Sequence, residues 1–220
     1  MPTNYEFKED GKLHTRYSEL KGCTPGGVVR VVERRKFQLN ETNPYTEFGT
    51  LRHEVFANFI RSNGHFPKAV GLDLEVDKNA VEQSYGVEVW ENVVVHMTAD
   101  LHNDNWVADF KTTTKGAVNY KNDKQVIFYA WMLGKLGKKI DKGYYICELW
   151  DIDRTQIRGY EVLERDITEK DLEETESWAK LRVETLYKEL TKENYPEVDE
   201  DNTFYGMASR DEGGYCKDDN

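Results

Sequence analysis

The stretch TADLHNDNWVADFKTTT, residues 98–114, decides the fold. It contains the end of one β-branched, apolar run, a polar turn at His102-Asn103-Asp104-Asn105, and a second run from Trp106 to Phe110. Asp100 closes the first run and Asp109 lies near the end of the second, so a hairpin turn brings both carboxylates to one end of a sheet. Lys111, two residues past Asp109, falls on the same face of its strand. Such a carboxylate pair suits a hard divalent cation, because Mg²⁺ takes one or two carboxylates and leaves the rest of its octahedron to water and substrate oxygens. A neighbouring ammonium can orient a bound water and favour its deprotonated form, while the cation stabilises charge on a scissile phosphate. The plain structural reading stands beside this one: aspartates are common at strand ends, and Asp-x-Lys triplets arise by chance in charged chains.

Outward from this stretch, Val81 to Trp90 and Val93 to Leu101 complete a three-stranded meander with the Trp106 run, Asn92 supplying the first turn. Upstream, Phe48, Leu51, Val55, Phe56, Phe59 and Ile60 follow Pro44 at helical spacing and stop near Ser62-Asn63-Gly64. Downstream, residues 119–136 return to helical periodicity, with Gln125, Phe128, Tyr129, Met132 and Leu136 on one face. Gly143 to Leu149 and Arg158 to Val162 read as strands around the turn at Asp151-Ile-Asp153. Thr168-Glu-Lys-Asp171 then opens a long polar helix with a capping-box pattern that runs to about Leu190. This order predicts an α/β (α+β) fold, a mixed β-sheet flanked by helices.

The chain has 220 residues, which suits one substantial domain. No repeat and no Pro- or Gly/Ser-rich linker divides it, so a single domain over 1–198 and a loosely ordered acidic tail over 199–220 are expected. The start lacks a basic region followed by an apolar run, and no stretch approaches the ~18 apolar residues that span a bilayer, so a cytoplasmic protein without a membrane partner is expected. Cys23, Cys147 and Cys216 are three and far apart, giving neither a disulfide framework nor a four-cysteine metal site.

The net charge of −11 argues at first against a nucleic-acid partner. Its distribution reverses that: residues 1–165 sum to −1, residues 166–201 to −8 and residues 202–220 to −2. Residues 111–142 hold eight lysines against Asp123 and Asp141, a net +6, and Arg30, Arg34, Arg35 and Lys36 form a second basic cluster. These read either as solvated helix faces or as phosphate contacts.

In the helix before the meander, His53 shares a stripe with Gly49, Phe56 and Ile60, and the small Gly49 leaves space one turn earlier. The imidazole is then either a hydrogen-bonded core residue or a third ligand beside Asp100 and Asp109, which would make Mn²⁺ acceptable as well as Mg²⁺. Gln125 and Tyr129 lie one turn apart, flanked by Lys115, Lys121 and Lys124. They read as core and strand-end residues, or as a brace for the site with lysines on phosphates.

Together these pieces resemble the RecB-like branch of the PD-(D/E)XK nucleases, which includes the CRISPR-associated exonucleases and many phage nucleases. Gly49-Thr-Leu-Arg-His53-Glu54 is similar to that branch's G-x-x-x-H helix, Asp100 to its first acid, Asp109-Phe-Lys111-Thr to its D-x-K-T, and Gln125-x-x-x-Tyr129 to its Q-x-x-x-Y helix. The resemblance implies a restriction-endonuclease-like core in which His53, Asp100, Asp109 and the Phe110 carbonyl bind Mg²⁺ or Mn²⁺. It further implies that Lys111 is catalytic with Asp100 and Asp109, and that Gln125 and Tyr129 support the site. Glu82 matches an acid at the start of the meander.

The chain departs from that pattern at Met97, where the family often has glycine. Tyr17-Ser-Glu-Leu20 through Cys23-Thr-Pro25 resembles the region that carries the first cluster ligand in iron–sulfur members. Such members need three more cysteines near the C-terminus, where only Cys216 stands, so no iron–sulfur cluster is expected. The expected activity is a metal-dependent DNA exonuclease in recombination, repair or phage DNA processing. Its partner is DNA of either strandedness, with room for a single-strand-binding protein, recombinase or helicase. Rival readings are an endonuclease of the same superfamily, a binding module that kept the fold, and a zinc protein using His96, His102 and a cysteine. No G-x-x-x-x-G-K-[ST] stretch supplies an ATP motor.

Overall fold

A computed structural model describes residues 10–37 and 43–192. One compact unit ends at Leu190, and of a second unit, Thr191–Asn220, only the first two residues are described. The expected tail at 199–220 and Cys216 lie outside the described residues.

The elements are β1 (Leu13–Arg16), α1 (Tyr17–Gly22), α2 (Val28–Phe37), α3 (Pro44–Asn63), β2 (Val81–Trp90), β3 (Val93–His102), β4 (Trp106–Thr113), α4 (Gln125–Lys135), β5 (Lys142–Trp150), β6 (Ile157–Asp166) and α5 (Glu169–Leu190). They form the expected mixed architecture, one six-stranded sheet flanked by helices. No helix among the described residues is long and apolar enough to cross a membrane.

β2 runs antiparallel along one edge of β3, from Val81↔Leu101 to Trp90↔Val93. The other edge of β3 is shared: β1 pairs in parallel with Val93–His96, and β4 pairs only through Leu101↔Ala108 and His102↔Val107. Residues 97–100 lie between these two pairings. β4 then pairs in parallel with β5 over its whole length, and β5 is antiparallel to β6.

α3 begins at Asn43, whose side chain accepts from Thr46 N at 2.8 Å, with Pro44 at the first helical position, where its missing N–H is no loss. It ends at Gly64, which adopts φ +75° and donates its N–H to Ile60 O at 2.7 Å, a conformation that favours glycine. Its inward face, Phe56, Ala57 and Ile60, packs with Leu101, Ala108, Phe110, Tyr144 and Ile146 in a buried core. Alternation along the strands sends Asp109, Lys111, Tyr145 and Cys147 to the opposite face, where α4 lies and Val126 N meets the Tyr145 hydroxyl. The capping box of α5 forms in both directions, Thr168 N to Asp171 Oδ2 at 3.0 Å and Asp171 N to Thr168 Oγ1 at 3.2 Å.

Two sequence readings need adjustment. β1 is a strand that no periodicity announces in four residues, and it is fixed by pairing with β3. The helix expected over 119–136 starts only at Gln125, because a separate short turn at Ala117–Tyr120 precedes it and the Asp123 side chain, just before the N-cap Lys124, accepts from Gln125 N at 2.7 Å.

Candidate active site

The candidate site lies where β3 and β4 part. Past His102↔Val107 and Leu101↔Ala108 the two strands no longer pair, and the Asp100 carboxylate replaces the lost backbone partner. Its Oδ2 accepts the Phe110 N–H at 2.7 Å, satisfying an amide that the parting strands would otherwise leave without a partner. Phe110 is anchored in the α3-side core, which fixes Asp109 and Lys111 on the other face.

Asp109 is 1% exposed. Lys111 Nζ stands 2.7 Å from its Oδ2 as an ion pair, although that oxygen receives no properly directed hydrogen bond. Lys111 donates instead to Gln125 Oε1 at 2.9 Å, which fixes the orientation of the amide, and Gln125 Nε2 donates to the Tyr129 hydroxyl oxygen at 2.5 Å. The Tyr129 oxygen thus acts as acceptor, leaving its proton to point elsewhere.

Burial pushes the Asp109 carboxyl well above the usual range; the Lys111 ammonium opposes this and Asp100 reinforces it. Burial pulls Lys111 down, but Asp109 and Asp100 more than offset it, so the ammonium stays charged. For His53, burial again favours the neutral ring, and Asp100 and Asp109 reverse the balance to a net rise. The Tyr129 hydroxyl is raised by burial first and then by Asp109 and Asp100, and it stays protonated.

His53 reaches this group from α3, on the other side of the sheet. Gly49 faces β4, where a Cβ would make only an ordinary contact, 3.6 Å from Thr112 Oγ1. The imidazole meets Phe110 edge-on, with centroids 5.1 Å apart at 78°, and its Nδ1 is 3.5 Å from Asp100 Oδ2. Two carboxylates, an imidazole and the Phe110 carbonyl are the donor types for Mg²⁺ or Mn²⁺, and Asp109 Oδ2, ion-paired with Lys111 but without a directed hydrogen bond, is a buried oxygen such an ion would satisfy. Among the described residues, no three His, Cys, Asp or Glu groups stand close enough to close a shell around one ion. The donors fit such an ion in kind, and side-chain movement would be needed to bring them together around it.

Other residues singled out by sequence lie further out. Glu82, at φ +51°, holds Arg61 through a 2.8 Å ion pair, eight residues beyond His53 on α3. Lys115, Lys121 and Lys124 are exposed on the segment joining β4 to α4. His96 and His102 are engaged separately, His96 Nε2 with His14 Nδ1 at 2.7 Å and His102 Nε2 with the Tyr85 hydroxyl at 2.8 Å. Cys23 and Cys147 are buried free thiols, pushed up by burial to about 11 and about 12.

Two groups near the site were not anticipated. Asp123 gathers Gln125 N, the Tyr145 hydroxyl at 3.0 Å and Lys21 at 3.3 Å, tying the start of α4 to β5. Arg52, beside His53, forms a bidentate pair with Glu148 of β5 at 2.8 and 2.7 Å. The sequence signal for the second was slender: a lone acid inside the buried run Tyr144–Trp150.

Among solved structures, the chain is similar to an alkaline exonuclease, LHK-Exo, from Laribacter hongkongensis, at 12% identity and a TM-score of 0.48, covering 82% of this chain and 90% of that one. LHK-Exo in complex with dAMP gives 11% identity and a TM-score of 0.49 over the same shares of the two chains. SSO0001 gives 14% identity and a TM-score of 0.43, covering 78% of this chain and 75% of that one. No family model and no curated protein matches the chain.

Proposed function

We propose that this protein is a metal-dependent nuclease that hydrolyses phosphodiester bonds in DNA, acting as an exonuclease. The observation that carries the reading is the meeting of Asp100, Asp109 and Lys111 at the parting of β3 and β4, with His53 beside Asp100 and Gln125 holding Lys111. A carboxylate only 1% exposed, ion-paired with a partly exposed ammonium and close to a second carboxylate, is the kind of costly charged arrangement that concentrates at functional sites.

In this reading Asp100, Asp109, His53 and the Phe110 carbonyl hold a Mg²⁺ or Mn²⁺ ion. When bound, the ion supplies positive charge to the scissile phosphate and makes a water acidic enough to attack at neutral pH. Lys111 keeps its proton on Nζ and donates to the attacking water or a phosphate oxygen, its direction set by Asp109 and Gln125. Tyr129 orients Gln125. The exposed Lys115, Lys121 and Lys124 lie on the segment that links the Lys111 strand to the Gln125 helix, and contact DNA phosphates.

Digestion of end-labelled linear and covalently closed circular DNA with Mg²⁺, with Mn²⁺ and with EDTA tests the reading. Metal-dependent loss of linear DNA alone is expected. Cutting of the circle would make the protein an endonuclease, and binding without cutting in any metal would make it a binding module.

A further inference from the structure

We propose that Arg52 and Glu148 are positioning residues for His53, fixing the rotation and height of α3 on the sheet and thereby the presentation of the imidazole to a divalent cation. This rests on the metal-site reading above. Glu148 lies on β5 directly beside Thr112 of β4, one residue past the Lys111↔Cys147 pair. It is 0% exposed and its four hydrogen bonds are all short. Oε2 accepts from Arg52 Nε at 2.8 Å and Trp150 Nε1 at 2.8 Å, and Oε1 from Arg52 Nη2 at 2.7 Å and the Tyr160 hydroxyl at 2.8 Å. Two donors on each oxygen use the full accepting capacity of the group.

Three of the four residues in this cluster, Glu148, Trp150 and Tyr160, belong to the sheet and its hairpin and make a fixed socket. Arg52 alone comes from α3. Its planar fork can meet a planar carboxylate through two parallel bonds in essentially one geometry, which a single bond or a lysine would not enforce. Phe48 packs edge-on against Trp150 at 4.9 Å, and the Arg52 guanidinium lies 5.2 Å over the same ring, so the socket grips the helix one turn before His53 as well. His53 is the next residue on the same rigid helix. A rotation of about 10° moves a side-chain group at the ~5–6 Å helix radius by about 1 Å, enough to spoil a metal ligand or a reacting geometry.

Stability alone is a poor account of this pair. Buried ion pairs are often replaceable by apolar residues of similar volume without loss of stability, so the pair is weak evidence of a stabilising role alone, and here its geometry fixes the helix. The four hydrogen bonds of the Glu148 side chain go to Arg52, Trp150 and Tyr160, and its side-chain connection toward the site is through Arg52 on α3.

The test uses the full chain and Mn²⁺ without DNA. Mn²⁺ affinity is measured by isothermal titration or by the free-ion electron paramagnetic resonance signal, and thermal midpoints are taken in EDTA. Glu148→Gln and Arg52→Lys are each expected to weaken Mn²⁺ about tenfold or more, the scale of shifting one reacting or ligating group by about 1 Å. Neither should weaken it further in a His53→Ala background. Weakening of equal size in both backgrounds, or a lowered thermal midpoint with unchanged affinity, overturns the proposal. Should either variant fail to fold, Tyr160→Phe removes one donor and no charge; a smaller loss of affinity that disappears with His53→Ala supports the proposal, and no loss overturns it. If the unaltered chain does not bind Mn²⁺, or His53→Ala binds it as tightly, the metal-site reading itself fails and this inference falls with it.

Discussion

Asp100 Oδ2 accepts the backbone N–H of Phe110 at 2.7 Å, bridging the gap that opens between β3 and β4. One carboxylate thus serves as a strand partner and as a candidate metal ligand, and the two roles separate by substitution. Asp100→Asn keeps an acceptor for the amide and should leave urea stability within about 1 kcal/mol, while nuclease activity falls at least about 100-fold. Asp100→Ala leaves the amide without a partner and should in addition destabilise the fold by about 1–3 kcal/mol.

Lys111→Ala and Asp109→Ala should each lower Mg²⁺-dependent cleavage by at least about 100-fold, the scale of losing one preorganised charge from such a site. Far-ultraviolet circular dichroism should remain that of the folded chain. Undiminished cleavage by either variant would remove that residue from the catalytic set and place the site elsewhere.

Acid should loosen α3 through Glu148. Burial raises this carboxyl, but hydrogen bonds from Arg52, Tyr160 and Trp150 outweigh it and hold the net value below the ordinary 4.5. The group therefore contributes stability that is complete above pH 4.5 and lost as pH falls through the lower folded value. A thermal midpoint measured against pH should fall less steeply below 4.5 in Glu148→Gln than in the unaltered chain. Glu148→Ala, which leaves Arg52 facing an empty socket, should cost about 3–5 kcal/mol at neutral pH.

Lys121 and Lys124 are expected to act on DNA through charge alone. Replacing either with alanine should weaken binding uniformly across sequences and reduce the slope of log affinity against log salt by about 1. Fluorescence anisotropy in EDTA, at several salt concentrations, reads this without cleavage.

Thr168→Ala removes one half of the reciprocal cap at the start of α5. A loss of about 0.5–2 kcal/mol in chemical denaturation is expected, with cleavage activity unchanged because the cap makes no contact with the site.

The readable parts of this chain were those in which the signal is local. The α3 stripe of Phe56 and Ile60, the turn His102–Asn105 that returns the chain toward Asp109, and the Thr168–Asp171 cap each depend on neighbours within a few residues, and each forms. What escaped was decided at a distance. β1 is too short to show alternation and exists because β3 offers it an edge. Residues 119–124 continue a helical pattern on paper, yet the Asp123 side chain takes the Gln125 amide and starts α4 later. Arg52 and Glu148 are 96 residues apart, and nothing in either neighbourhood marks one as the partner of the other.

α3 and α4 lie on opposite faces of the sheet, and both reach the place where β3 and β4 cease to pair. His53 approaches it from one side and the Gln125–Tyr129 pair, by way of Lys111, from the other. An ion bound there, in the proposed metal site, would be held by both layers at once and act as a rivet between them. Amide hydrogen exchange should then slow together in α3 and α4 when Mn²⁺ is added, and loosen together on chelation, even though the two helices report from opposite sides of a β-sheet.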